Sequence, residues 1–206
     1  MTSDINSLIP VRIGGNLYLR LLIILPLFAL FSCNTAKHVP NGEYLLKKYD
    51  LQTKGKNIEK KEIKKFIQQQ PNKKILGLKI PLAIYNLSKP DKEKWIHQFL
   101  RNVGEKPVLW DRYLTEETRK QISNYLEKKG YYNARVYDSV IVKQQKATVQ
   151  YNLETDEPYL IDNISYIVRD SLLEPFFYAD TSALPLRAGD VFSVELLQEE
   201  RNRIEE

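Results

Sequence analysis

One cysteine and two histidines are all that 206 residues offer of the side chains most used to hold metals or cycle electrons. A single cysteine excludes any internal disulfide, so the fold has to be held by an apolar core. His38 and His97 stand apart, with no His-x-x-x-His or Cys-x-x-Cys spacing near either, and no metal site is expected. The chain also lacks a Gly-x-Ser-x-Gly nucleophile turn and a glycine-rich phosphate loop. Glu116 and Glu117 are adjacent and diverge around a helix, so they read as end charges rather than a catalytic pair. The expectation is a protein without enzymatic activity or cofactor. Charge of one sign is missing as well: 31 Lys+Arg face 26 Asp+Glu with the signs interspersed, which argues against nucleic acid as a partner. A weak attraction to anionic headgroups is the smaller consequence of the +5 balance.

Long hydrophobic runs are absent too. The longest, Leu21–Phe31, has eleven residues and is broken by Pro26, whereas a membrane-spanning helix takes about 20. Arg12 and Arg20 precede it and the small residue Ser32 follows, with Cys33 next. Basic flank, apolar run and small-residue junction are the layout of a secretory signal over residues 1–32. The junction resembles the lipobox of bacterial lipoproteins. That resemblance implies cleavage before Cys33 and acylation of its sulfur and new amino terminus. Two or more acyl chains hold a protein stably on a bilayer. An ordinary buried thiol, or an uncleaved anchor helix, is the plainer alternative. Residues 1–32 contain Asp4, Arg12 and Arg20, so the exported part carries 29 Lys+Arg against 25 Asp+Glu, net +4. Residues 33–43 form a tether with a turn at Pro40-Asn41-Gly42. No acid follows the cysteine in Asn34-Thr35-Ala36-Lys37, which favours a periplasm-facing anchor.

Beyond the tether the pattern is α+β. Glu43–Gln52 alternates as a strand, and Asn57 caps a helix predicted over Ile58–Gln70 with Ile58, Ile63, Phe66 and Ile67 on one face. Pro71-Asn72 ends it. Lys73–Ser88 is irregular and reads as an inserted loop or short helix. Asp91 opens a helix over Lys92–Asn102 expected to bury Trp95, Ile96, Phe99 and Leu100, and Trp95 and Trp110 are expected to anchor this region. A third helix begins around Thr115-Glu116-Glu117-Thr118, with Ile122, Tyr125 and Leu126 as its stripe and Gly130 as its stop. Ala134–Lys143 and Ala147–Leu153 follow as a hairpin turning at Lys143–Lys146. After Asp156-Glu157-Pro158 the order restarts: a strand over Tyr159–Arg169, a short segment at Ser171–Tyr178, Gly189-Asp190, and a helix from Ser193. The domains expected are 44–156, with an insertion at about 73–102, and an incomplete second unit at 158–206. The sequence stops inside that repeat, so it is expected to be the front of a longer protein.

Three stretches carry a resemblance. They are Gly130-Tyr131-Tyr132-Asn133-Ala134-Arg135-Val136, then Val149-Gln150-Tyr151 leading to Tyr159-Leu160-Ile161-Asp162-Asn163-Ile164, and Leu186-Arg187-Ala188-Gly189-Asp190-Val191-Phe192 with Leu196 and Glu200-Arg201. Together they resemble POTRA domains of the BamA/TamA superfamily of outer-membrane assembly proteins, in its TamA-like lipoprotein form from Bacteroidetes. The resemblance implies strand-helix-helix-strand-strand units, each a three-stranded sheet with two helices on one face. It covers Glu43–Glu206 apart from Lys73–Asn102. Family members end in a membrane β-barrel, and the sequence contains none.

The resemblance also implies that the second strand lies at the sheet edge: Ala134, Arg135, Val136, Tyr137, Asp138, Ser139, Val140, Ile141, Val142 and Lys143. An exposed edge accepts an extended strand through main-chain hydrogen bonds. Two readings of this strand stay open. It captures unfolded outer-membrane proteins or docks a periplasmic or inner-membrane partner, or Arg135, Asp138 and Lys143 simply keep the edge soluble. Tyr131, Tyr132, Tyr137 and Tyr151 could stack on a partner, but alternation favours packing for them. The expected function is outer-membrane protein assembly or translocation by a lipid-anchored outer-membrane protein. The rivals are a stand-alone envelope lipoprotein that binds a ligand or partner, and an envelope hydrolase, against which the missing nucleophile argues.

Overall fold

The computed structural model describes residues 35–55, 58–172, 174–175 and 184–205. The signal at 1–32, Cys33, Asn57 and part of Ser171–Tyr178 lie outside the described residues. Strand β1 (Leu45–Lys54) leads to a short helix α1 (Lys60–Ile63) that tightens into a 3-10 turn at Lys64–Phe66. Helices α2 (Ile80–Leu87), α3 (Trp95–Val103) and α4 (Arg112–Lys128) follow. The hairpin of β2 (Arg135–Lys143) and β3 (Lys146–Glu154) comes next, and α5 (Val194–Glu205) closes the described chain. The sheet order is β1-β3-β2, with β3 parallel to β1 and antiparallel to β2.

The alternation of β3 explains the core. Ala147, Val149, Tyr151 and Leu153 are all buried, and they share a face with Tyr49 and Leu51 of β1 and Val136 and Val140 of β2. Ile63 and Ile67 on one side, and Ile122 and Leu126 of α4 on the other, close that face. Two helical elements therefore cover one face of a three-stranded α+β sheet, as the resemblance implies. The other face is polar: Lys54 and Tyr137 both reach Glu154, and Ser139 reaches Gln150.

Several expectations need correction, among them the helix expected to open at Asp91, which begins at Trp95 after Lys94 with no side-chain cap. The helix expected over Ile58–Gln70 stops at Phe66 because tertiary hydrogen bonds claim the backbone immediately after it. Gln68 N donates to Thr118 Oγ1 at 3.0 Å, and the Gln69 side chain accepts from Asp111 N and donates to Leu109 O. Pro71 adds its own bias, since the residue before a proline is pushed out of the α region. Next, α4 starts one turn early: Asp111 Oδ1 accepts from Tyr113 N at 2.7 Å and Leu114 N at 3.3 Å. Its inward stripe includes buried Thr115 and Thr118, whose hydroxyls donate to Asp111 O and Leu114 O. Finally, Tyr159–Arg169 forms no strand: Tyr159 and Ile161 hydrogen-bond to Gly189–Phe192 around a single bridge, Leu160 to Val191, and the ladder goes no further. Ile164, Tyr166 and Val168 still alternate as half-buried positions, and Tyr166 reaches Glu200 on α5. The chain is extended there without a second strand to complete a ladder.

The insertion departs most. Of the four residues expected in the core on α3, only Leu100 is turned inward; Trp95 is 75% exposed and Phe99 55%. Trp110 does join the main core, its Nε1 donating to Thr115 Oγ1. Leu82 of α2 packs on Leu45 of β1, and two sets of hydrogen bonds hold the insertion, one at its base and one to the sheet. Buried Asn72 donates to Lys106 O at 2.7 Å and accepts from Val108 N at 3.0 Å. Lys79 Nζ reaches Leu46 O at 3.2 Å. Burial pushes the Lys79 ammonium down from 10.5 to about 8, with Lys74 adding repulsion.

Both ties have measurable consequences. Asn72→Ala empties a buried position and leaves the part-buried Lys106 O and Val108 N without their side-chain partner, and urea titration should show a loss of about 1–2 kcal/mol. Lys79 is neutral more readily in the folded state than in the unfolded one, so stability rises as pH climbs from about 8 toward 10.5. Lys79→Met should therefore be the more stable protein at pH 7, by about 1–2 kcal/mol after solvent screening, and its advantage should shrink as pH approaches 10.

Candidate docking edge

Edge position follows from connectivity. β3 uses one side to pair with β1 and the other to pair with β2, which leaves the far side of β2 open. The outer side of β1 is partly closed: Leu46 N donates to Val108 O at 2.8 Å, and Trp110 N to Tyr44 O at 2.7 Å. Among the described residues no backbone hydrogen bond reaches Arg135–Lys143 from outside the sheet. All nine residues of β2 pair with β3, from Arg135 opposite Glu154 to Lys143 opposite Lys146. Ala134 lies just before the strand, its N–H donating to Tyr131 O.

The turn sets which main-chain groups are free. Gln144 and Gln145 both have positive φ, 49° and 58°, so the loop is a two-residue mirror turn. Such a loop makes Lys143 and Lys146 a hydrogen-bonded pair, and the pattern then alternates. Lys143, Ile141, Ser139, Tyr137 and Arg135 spend their main-chain groups on β3. Val142, Val140, Asp138 and Val136 present theirs outward. Glutamine is strained in this conformation. The tether compensates: Gln145 Nε2 donates to Val39 O and Pro40 O, and Leu45 N donates to Gln145 O.

Side chains sort by face. Val136 and Val140 turn toward the core, while Tyr137, Ile141 and Val142 are each a little over two-fifths exposed. Asp138 also faces the helix side, where its Oδ1 lies 3.4 Å from Arg119 Nε of α4. Arg119 is a residue that sequence reasoning missed; its place one helical turn before Ile122, on the flank of the core stripe, is the signal that marks it. An inward-pointing charge on an edge strand makes flat self-association unfavourable. One ion pair guards the edge without covering its main chain, so both readings of this strand stay open. Of the tyrosines, Tyr151 is buried, and its phenol is pushed up by burial although Thr118 and Thr115 contact it. Among the described residues no group of three His, Cys, Asp or Glu is placed to hold a metal ion.

At the opposite end of the sheet, Gly130 forms a joint to the residues beyond β3. Its φ is +86°, and a Cβ there would lie 2.6 Å from Val191 Cγ1. Tyr159 N donates to Gly130 O, and Tyr132 stacks edge-on against Tyr159 and beside Phe192. The Gly-Tyr-Tyr stretch therefore both ends α4 and seats the segment after the hairpin.

No protein-family model matches the chain, and no curated protein matches it. Among solved structures it is similar to the crystal structure of Haemophilus influenzae BamA POTRA3-5. The identity is 13% and the TM-score 0.28, over 82% of this chain and 88% of that one. So distant a likeness assigns nothing here, and the site rests on the chain's own residues.

Asp138→Val removes the inward charge and leaves the free main chain in place. Unfolding free energy should change by less than about 1 kcal/mol, the range of exposed ion pairs. Sedimentation velocity should instead show self-association that wild type lacks at equal concentration.

Proposed function

We propose that this chain is the N-terminal, periplasm-facing part of a lipid-anchored outer-membrane protein that aids assembly or translocation of outer-membrane proteins. Its sheet edge takes up extended segments of a client, or of a periplasmic or inner-membrane partner, by strand addition. The observation that supports this most is the unpaired outer side of β2, where Val136, Asp138, Val140 and Val142 direct N–H and C=O groups away from β3. Main-chain pairing makes little demand on sequence, which suits clients that share only an extended, alternating backbone. The sheet order β1-β3-β2 with two helical elements on one face is the arrangement that the POTRA resemblance of Gly130–Val136 implies. Cys33, acylated as the lipobox resemblance implies, supplies the anchor. The reading assigns the chain no catalysis and no cofactor.

Val140→Pro tests the edge directly. Proline removes an outward N–H while sparing the ladder to β3, because Val140 sits at a non-hydrogen-bonded position. Circular dichroism should be unchanged, and binding of a urea-unfolded outer-membrane β-barrel protein should fall by about tenfold. Ile141→Pro breaks a ladder bond and should unfold the hairpin, which serves as the contrast. Undiminished binding by folded Val140→Pro sinks strand addition at this edge.

A further inference from the structure

Helix α3 is inside out. His97, Arg101 and Gly104 recur at i, i+4 and i+7 and face the fold with Leu100, while Trp95, Ile96, Phe99 and Val103 face solvent. The inward polar side is satisfied: Arg101 Nη1 donates to Lys89 O at 2.9 Å and Lys92 O at 3.3 Å, and His97 Nδ1 accepts from Lys89 N. The outward orientation is thus held by hydrogen bonds. A second apolar projection precedes it. Ile75 and Leu78 bond each other across a two-residue reversal whose first residue, Leu76, is 95% exposed at φ 51°. Leucine at such a position is unfavourable for folding, both in conformation and in hydration.

Charge is concentrated in the same segment. Residues 73–103 hold seven Lys and Arg against Asp91 and Glu93, net +5, which equals the balance of the whole chain. The remaining residues sum to zero, so the positive charge of this protein is local. Exposed Trp and Phe among lysines is the chemistry of a surface that enters the headgroup region of an anionic bilayer.

The tether meets this segment directly. Ala36 and Val39 are buried with Leu82 of α2. Asn86 Nδ2 donates to Thr35 O, Lys37 Nζ donates to Asn86 O at 2.9 Å, and His38 Nε2 lies 3.1 Å from Ser88 O. Thr35 stands only two positions beyond Cys33, a reach of at most about 7 Å. An acyl anchor on Cys33 would hold α2 and α3 at the membrane surface.

We infer that the insertion at 73–103 is a membrane-docking platform: Trp95 and Phe99 enter an anionic phospholipid surface, and lysines such as Lys89, Lys92 and Lys94 contact its headgroups. Its position beside the bilayer rests on the lipoprotein reading; its surface chemistry does not. Docking at that point would fix how the β2 edge is presented, where an acyl tether alone would leave the domain free to swing.

The full chain, purified in detergent, is reconstituted into vesicles of phosphatidylcholine alone or mixed with phosphatidylglycerol, with and without brominated acyl chains. Trp95 and Trp110 are its only tryptophans, and Trp110 packs in the core. Brominated anionic vesicles should quench the emission, with loss of that quenching in Trp95→Phe and its retention in Trp110→Phe. Lys89→Gln, Lys92→Gln and Lys94→Gln together should lower it to the level seen in phosphatidylcholine alone. Emission that ignores bromine while aqueous iodide quenches it freely overturns the platform. So does a Trp95 shielded in detergent by dimerisation, read by light scattering. Intact mass reports acylation of Cys33 separately: bromine quenching with an unmodified cysteine keeps the platform and removes the anchor, and an acylated chain without quenching does the reverse.

Discussion

The parallel pairing of β1 with β3 is the constraint on which the molecule depends. It runs in continuous register from Lys48 opposite Thr148 to Lys54 opposite Glu154. Parallel strands cannot be joined by a tight turn, so roughly ninety residues must be closed into one loop before the pair forms. α1, the insertion and α4 all lie inside that loop. Their packing against the buried face of β3 offsets its closure entropy. Because β3 is filled on both sides, β2 has no place except the edge. The open strand is thus a consequence of topology, not of any residue within it.

Two kinds of exposed surface result, and the chain treats them differently. The edge of β2 is guarded by position: Asp138 turns inward to Arg119, and the outer sheet face is laced by Lys54, Tyr137 and Glu154. These contacts are individually weak because water screens them. They discourage flat stacking and leave the outward main-chain groups of β2 available. The insertion shows the opposite logic. Hydrogen bonds to Arg101 and His97 occupy the inner side of α3, and the apolar residues are turned outward.

The Gly130 joint seats the residues from Tyr159 onward against the end of α4. A glycine lets Val191 approach the end of α4, and Tyr132, Tyr159 and Phe192 fill the space around it. Lys129 pairs with Glu195 at the start of α5, and Glu200 is held ionised by Arg203 and Tyr166. The residues after the hairpin are thereby held through backbone, aromatic and ionic contacts, without joining the sheet.

The sequence by itself determined the elements whose signals are local. The stripe of α4 through Ile122 and Leu126, its stop at Gly130, and the alternation of β2 and β3 were legible because period and turn chemistry reside in neighbouring residues. The β2 edge was legible only through family resemblance, since alternation cannot tell an edge from a centre. Only tertiary structure decided the rest. It cut the helix after Phe66, because Thr118 and Asp111 claim hydrogen bonds at Gln68 and Gln69. It denied Tyr159–Arg169 a strand, because a strand exists only when another chain segment pairs with it. It also turned α3 outward: periodicity shows that a helix has an apolar face, but which way that face points depends on what the opposite face meets, here the main chain of Lys89 and Lys92 in the loop before the helix, a contact that no helical spacing announces.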